Sequence, residues 1–169
     1  MKTRADAEEA IRRRFTSEGF KGELRYDAAR VIENDRWWYF PCGWIGSQGC
    51  IVNKDTLYVN WLGSSVCLEH CLWGHDHGLF VDLVDFSFAP ETNLDIARRL
   101  VSRFWHMRPD SNGRQPREPV PYRDSEVDSA LSSQFPHFRR HLVWYAIPEI
   151  RRAFETSGLR FTSALSEQQ

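Results

Sequence analysis

The chain has 169 residues, of which 41% are hydrophobic and 14% aromatic. This length and composition predict one folded domain, or one domain with a sizeable extension. Its formal net charge of −1 gives no overall attraction to nucleic acid or to a membrane surface, and we expect neither as a partner. No segment has the pattern of a signal peptide or of a membrane span. We therefore expect a cytoplasmic protein, with Cys42, Cys50, Cys67 and Cys71 as reduced thiols.

The first predicted elements are a helix and a set of strands. Residues 5–15 place Ala7, Ile11 and Phe15 on one face, as in an amphipathic helix. Strands are expected over 28–33, 37–40, 50–53 and 57–62, with turns at 34–35 and 53–56. Because Trp37 and Trp38 point to opposite faces of their strand, at most one of them is expected to be fully in the core.

The second half of the chain predicts alternating helices and strands. A short helix over 66–73 is expected to end at Gly74, and the apolar stripe that begins at Leu94 predicts a helix over 90–105, capped by Thr92 or Asn93. The remaining elements are expected to be strands over 79–88, 142–146 and 159–164 and helices over 125–135 and 148–156.

The predicted fold is α+β, an antiparallel sheet of about five strands with helices packed mainly on one face. We expect residues 1–105 to form the core domain and residues 106–124 to form a Pro-rich loop. Residues 125–169 are then a C-terminal extension packed on the same core.

One cluster of residues has side chains that could bind a metal: Cys67, His70, Cys71, His75 and His77. Cysteine and histidine at short spacing can hold zinc. This spacing matches no established zinc pattern, however, and Cys67 and Cys71 lie among apolar residues, which favours cysteines packed as small hydrophobes. We therefore expect no bound metal and no cofactor.

A second cluster combines two histidines with three acids: His75, Asp76, His77, Asp82 and Asp85. Such a set could serve a metal-dependent hydrolase or acid–base catalysis. Asp82 and Asp85, however, differ in parity along the predicted strand and would point to opposite faces. The same residues could instead form an acidic edge that meets a basic partner, or simply a polar loop entering a strand.

The sequence carries no nucleophile motif, phosphate loop or dinucleotide fingerprint, so it predicts a binding protein rather than an enzyme. Trp44 and Trp61 are candidate anchors for a protein interface, although ordinary packing would also account for them. The doublets Arg139-Arg140 and Arg151-Arg152 do not predict a nucleic-acid site without an overall positive charge.

Residues 5–65 resemble the small YrhB-type immunity domains of bacterial polymorphic toxin systems. The resemblance rests on an amphipathic helix, a strand ending in aromatics, a glycine-containing turn and a returning pair of strands. The residues that carry it are Trp37 to Phe40, Gly46, Ile51, Val52 and Lys54. About 100 further residues follow that the small domains lack.

The resemblance implies a cytoplasmic immunity protein without a cofactor, which neutralises a cognate toxin by direct binding. Acidic side chains would cover a basic groove of the toxin, and aromatic anchors would supply buried area. The residues expected to bind this partner are Trp44, Trp61, His75, Asp76, His77, Asp82 and Asp85. The alternatives are the hydrolase that uses His75, His77 and an aspartate, and a non-catalytic structural or chaperone-like partner.

Overall fold

A computed structural model of the chain describes residues 2–20, 25–42, 46–79, 83–107, 119–134, 136–142 and 146–166, without the side chain of Arg140. The predicted α+β class is confirmed, since helices accompany antiparallel strands throughout the described residues. Those strands form two sheets rather than one. The chain divides into two compact units, Met1–His75 and Asp76–Gln169.

The first unit is built on a four-stranded antiparallel sheet with the order β1-β2-β3-β4. Its strands are β1 (Ile32–Glu33), β2 (Trp37–Pro41), β3 (Ser47–Asn53) and β4 (Val59–Gly63), and its helices are α1 (Arg4–Ser17) and α2 (Leu68–Asp76). The predicted helix and the three longer strands are thus confirmed. Of the predicted strand over 28–33 only β1 forms, because Ala28–Arg30 is a 3₁₀ turn whose preceding residue, Asp27, caps Ala29.

Both faces of this sheet are covered, and this accounts for its four consecutive buried aromatics. Trp38 and Phe40 pack with Ile11 of α1 on one face. Trp37 and Tyr39 pack with Cys71 of α2 on the other. The expectation that only one of Trp37 and Trp38 is in the core is therefore wrong, since they are 5% and 2% exposed. The prediction assumes a sheet with helices packed mainly on one face, whereas helices cover both.

The second unit contains a five-stranded antiparallel sheet with the order β7-β6-β8-β5-β9. Its elements are β5 (Val84–Phe88), α3 (Leu94–Val101), β6 (Trp105–His106), β7 (Val120–Pro121), α4 (Asp124–Leu131), β8 (His137–Leu142), α5 (Ile147–Ser157) and β9 (Phe161–Leu165). Val84, Phe86 and Phe88 share the buried face of β5, as their spacing predicts. Helices α3 and α5 contact one another.

Local signals set the helix ends of this unit. Asn93 caps α3 by accepting from the backbone N–H groups of Asp95 and Ile96. Pro148 lies in the first turn of α5, and Gly158 ends that helix in the left-handed conformation, both as predicted. Leu94, where the predicted apolar stripe begins, is 52% exposed. It is the first residue of α3, and the buried residues of that helix are Ala97, Leu100 and Val101.

The expected domain boundary at residue 105 is wrong. β6 and β7, which flank the described ends of the Pro-rich segment, pair with each other, and β6 also pairs with β8. Because β8 and β9 in turn pair with β5, the segments on both sides of the predicted boundary belong to one sheet. Residues 108–118 lie outside the described part of the chain.

Two further boundaries differ from the prediction. α2 continues through Gly74 to Asp76, and the left-handed glycine that follows it is Gly78. The structure describes a strand at His137–Leu142, where polar side chains obscure the alternation, and residues 143–145 of the strand expected over 142–146 lie outside the described residues. None of the helices in the described part of the chain is long and apolar enough to cross a bilayer.

Candidate functional site

The candidate site of the first unit lies at the end of its sheet where two turns come together. Strands β2 and β3 are antiparallel, and Trp37 pairs with Asn53. The turn that precedes β2 is therefore beside the turn that follows β3. The backbone N–H of Lys54 donates to the carbonyl of Arg36 at 2.8 Å and joins the two turns directly.

Each turn is held by an asparagine side chain. The Asn34 Oδ1 accepts from the backbone N–H groups of Arg36 and Trp37, both at 2.9 Å. The Asn53 Oδ1 accepts from the N–H groups of Asp55 and Thr56, both at 2.9 Å, and from the Thr56 hydroxyl at 3.0 Å. Such side-chain bonds to nearby backbone are the reason that asparagine favours turns. The two turns are thus fixed by local chemistry.

Replacing Asn53 with alanine should loosen the second turn. The substitution removes three hydrogen bonds of a buried oxygen, and we expect the free energy of unfolding to fall by about 1 to 2 kcal/mol, as measured by urea denaturation. Asp55→Ala is the matched control, because Asp55 is exposed and its carboxylate makes no hydrogen bond or ion pair with another described residue. Equal stabilities of the two variants would contradict this account of the turn.

The two turns and the start of α1 line an open groove with a volume of about 1010 Å³. Thr3 caps α1 and exchanges hydrogen bonds with Asp6, which fixes the helix start that forms one wall. We name this feature the Lys54 groove. Its lining residues are Lys2, Thr3, Arg4, Glu33, Asp35, Trp38, Lys54 and Asp55.

Lys54 is held in place at the base of the groove. Its Nζ lies 2.5 Å from the Glu33 Oε1 and 4.5 Å from the centroid of the Trp38 ring. The Lys54 ammonium lowers the pKa of Glu33, because it stabilises the ionised carboxylate. Trp38 is only 2% exposed and so offers the lysine a rigid aromatic surface.

Two aspartates project from the tips of the turns without local partners. Asp35 and Asp55 are exposed, and neither carboxylate forms a hydrogen bond or an ion pair with another described residue. Glu33, by contrast, is engaged by Lys54. The groove therefore presents two carboxylates that pair with no other described residue.

The two predicted site residues of the first unit that the structure describes, Trp61 and His75, are not exposed. Trp61 is half-buried and packs on the core face that α1 covers, 6.3 Å from Phe15 between ring centroids. His75 is 2% exposed, and its Nε2 lies 2.9 Å from the Asn60 Nδ2. Burial lowers the pKa of His75 to about 3, so the ring is neutral and enclosed at ordinary pH. Trp44 lies outside the described residues.

The predicted residues of the second unit are largely engaged within it. The His77 carbonyl accepts from the Ser163 hydroxyl at 2.7 Å, and its ring centroid lies 5.0 Å from that of Phe154. The Ser166 hydroxyl donates to Asp85 at 2.5 Å. Asp76 is half-buried at the end of α2, and Asp82 lies outside the described residues. Asp76 and Asp85, the two of these acids that the structure describes, are thus half-buried rather than fully exposed.

The cysteine and histidine side chains of α2 do not form a ligand set. Cys71 is buried in the core beneath the sheet, and burial raises the pKa of its thiol. Cys67 is exposed, and all four cysteines are free. Across the described residues, no three His, Cys, Asp or Glu side chains are grouped closely enough to hold a metal ion.

The sequence contains a signal for the Lys54 groove that the prediction of site residues does not use. Both turns are predicted, at Asn34-Asp35 and at residues 53–56. Antiparallel pairing of the strands between them would place both turns at one end of the sheet. The charged residues of those turns are therefore candidates from topology alone. The N-terminal wall depends on how α1 packs, which a local pattern does not reveal.

Comparisons with protein-family models, with curated proteins and with solved structures found no match for this chain.

Proposed function

We propose that the chain is an immunity-type inhibitor, which binds a cognate bacterial toxin through the Lys54 groove and neutralises it. The observation that carries the proposal is the pair of exposed carboxylates, Asp35 and Asp55, on two rigid turns beside a large open groove. Charged residues of both signs line this groove, a composition suited to the polar surface of another protein.

The rigidity of the two turns favours tight association. Turns that are already ordered lose less conformational entropy when a partner binds than flexible loops would lose. Asn34 and Asn53 supply this order before any partner arrives. Lys54 is held in the groove by the Trp38 ring and by its ion pair with Glu33.

The mechanism we propose is electrostatic masking. Asp35 and Asp55 would pair with arginine or lysine side chains at the edge of the toxin's active groove. The toxin's own substrate would then be excluded because its place is covered. No chemical step by this chain is required.

The extent of the family resemblance supports the proposal. Residues 5–65 carry the resemblance to YrhB-type immunity domains, and they lie within the compact unit Met1–His75. Lys54, one of the residues on which the resemblance rests, is at the base of the groove. An inhibitor based on the first unit therefore needs no residue of the second unit for its main contact.

Reversing the two free charges should disrupt binding. For Asp35→Lys with Asp55→Lys we expect the dissociation constant for the toxin to rise by about a hundredfold or more, because attraction becomes repulsion. The measurement is calorimetric titration of the purified toxin. Glu91→Lys with Asp124→Lys changes the net charge equally at exposed positions of the second unit and should leave the affinity within about threefold. Equal affinities of both double variants would refute the proposed contact surface.

A further inference from the structure

A second groove lies within the second unit, between α3 and α5, and most of the charged residues that line it are basic. Its volume is about 270 Å³. Ile96, Leu100 and Ala153 line it with apolar groups, and Arg99, Arg103 and Arg152 are the basic residues around it. We name it the arginine groove.

Two of these arginines have no partner in the described part of the chain. Arg99 and Arg152 are exposed and make no ion pair or side-chain hydrogen bond to another described residue. Their sequence neighbours do find acids: Arg98 pairs with Asp128, and Arg151 pairs with Glu155. Acids of this unit therefore pair with arginines beside the groove, but not with Arg99 and Arg152, which line it.

The charge of the groove is positive even after its one acid is counted. Glu149 also lines the groove, and its Oε1 lies 3.6 Å from a guanidinium nitrogen of Arg103. That pair leaves Arg99 and Arg152 as a surplus of two positive charges around an apolar floor. This surplus stands out on a chain whose formal net charge is −1.

From this arrangement we propose that the arginine groove binds an acidic segment of a protein, with an aliphatic side chain on the floor and carboxylates paired to Arg99 and Arg152. Guanidinium groups match carboxylates in a two-bond geometry. Leu100 and Ala153 form an apolar floor, and an apolar residue between those acids would bury its side chain against it. Nucleic acid fits less well, because it requires a continuous basic track, and Glu149 interrupts this one.

This inference concerns the second unit and is independent of the toxin-binding proposal. The test uses the full chain and a labelled short peptide in which two glutamates flank one leucine, with fluorescence anisotropy as the readout. We expect saturable binding that weakens as salt is added. Two matched peptides, one with glutamine for glutamate and one with alanine for leucine, should each bind more weakly.

The protein variants locate the site. For Arg99→Gln with Arg152→Gln we expect binding to weaken by about tenfold or more. Arg12→Gln with Arg13→Gln removes the same charge from exposed positions of α1 and should bind the peptide as the unaltered chain does. Both variants should retain the circular dichroism of the unaltered chain, because all four arginines are exposed.

Three results would overturn the proposal: no binding of the peptide at millimolar concentration, equal binding by the two double variants, or tighter binding of a single-stranded oligonucleotide than of the peptide. The last result would assign the groove to nucleic acid.

Discussion

Lowering the pH from about 7.5 to about 5 should reduce the free energy of unfolding of each unit by about 2 kcal/mol, because each unit contains a buried, neutral histidine whose pKa is lowered to about 3. The histidines are His75 in the first unit and His141 in the second. A loss of this size is a large fraction of the stability of an ordinary domain.

The two histidines are buried in different surroundings. His75 lies against Asn60, and its pKa falls because burial disfavours the charged ring. His141 is fully buried, and the Tyr122 hydroxyl lies 2.9 Å from its Nε2. Burial is the main cause of its lowered pKa, and repulsion from His106 adds to it, while the charge of Asp85 opposes it.

The sign of the effect follows from which state binds protons more readily. In the unfolded chain these histidines take up a proton near their ordinary pKa of 6.5, whereas in the folded chain they do so only near 3. The unfolded state thus gains protons first as the pH falls. Stability is complete above about pH 6.5 and is lost progressively between about 6.5 and 3.

Hydrogen exchange in urea, followed by mass spectrometry, reports each unit separately. His141→Phe should abolish the loss between about pH 7.5 and 5 in the second unit but not in the first, and His75→Gln should do the converse. The comparison depends on the change with pH, so a lower absolute stability of either variant does not obscure it. Stability that is unchanged at about pH 5 in the unaltered chain would contradict the account.

Gly49→Ala should prevent the first unit from folding stably, with a loss of about 4 kcal/mol or more. Gly49 has a φ of 132° at an irregularity in the pairing of β3 with β4. A Cβ at this position would lie 2.1 Å from the Phe40 carbonyl oxygen and 2.9 Å from the Pro41 Cα. Both atoms belong to the backbone of β2, so no side-chain rotation can relieve the overlap.

Gly63→Ala is the matched control. Gly63 ends β4 of the same sheet, and a Cβ there would meet no atom within 4 Å. We expect its stability to lie within about 0.5 kcal/mol of that of the unaltered chain, as measured by urea denaturation. A Gly49→Ala protein that is equally stable would show that the close approach of β2 to this glycine is not required.

The elements with regular side-chain spacing could be predicted from the sequence. The faces of α1 and β5 follow from Ala7 and Ile11 and from Val84, Phe86 and Phe88. The start of β8 cannot be predicted, because charged and imidazole side chains in the run from His137 to His141 interrupt the apolar pattern. His141 is nevertheless buried, which only the packing around it explains.

The candidate site required long-range information. The turn chemistry of Asn34 and Asn53 could be recognised locally, but the groove exists because Trp37 pairs with Asn53 across the sheet. His75 and Asp85, by contrast, are site candidates by residue type and spacing alone. In the structure His75 is buried and Asp85 accepts a hydrogen bond from Ser166, and neither tertiary contact can be read from the local sequence.

The most direct test of the proposed inhibition is bacterial growth when each neighbouring open reading frame is expressed with and without this chain. The account predicts that one neighbour stops growth, that the unaltered chain and the Glu91→Lys with Asp124→Lys control restore it, and that Asp35→Lys with Asp55→Lys does not. If no neighbour is toxic, or if both double variants restore growth equally, the proposed toxin neutralisation through the Lys54 groove is contradicted.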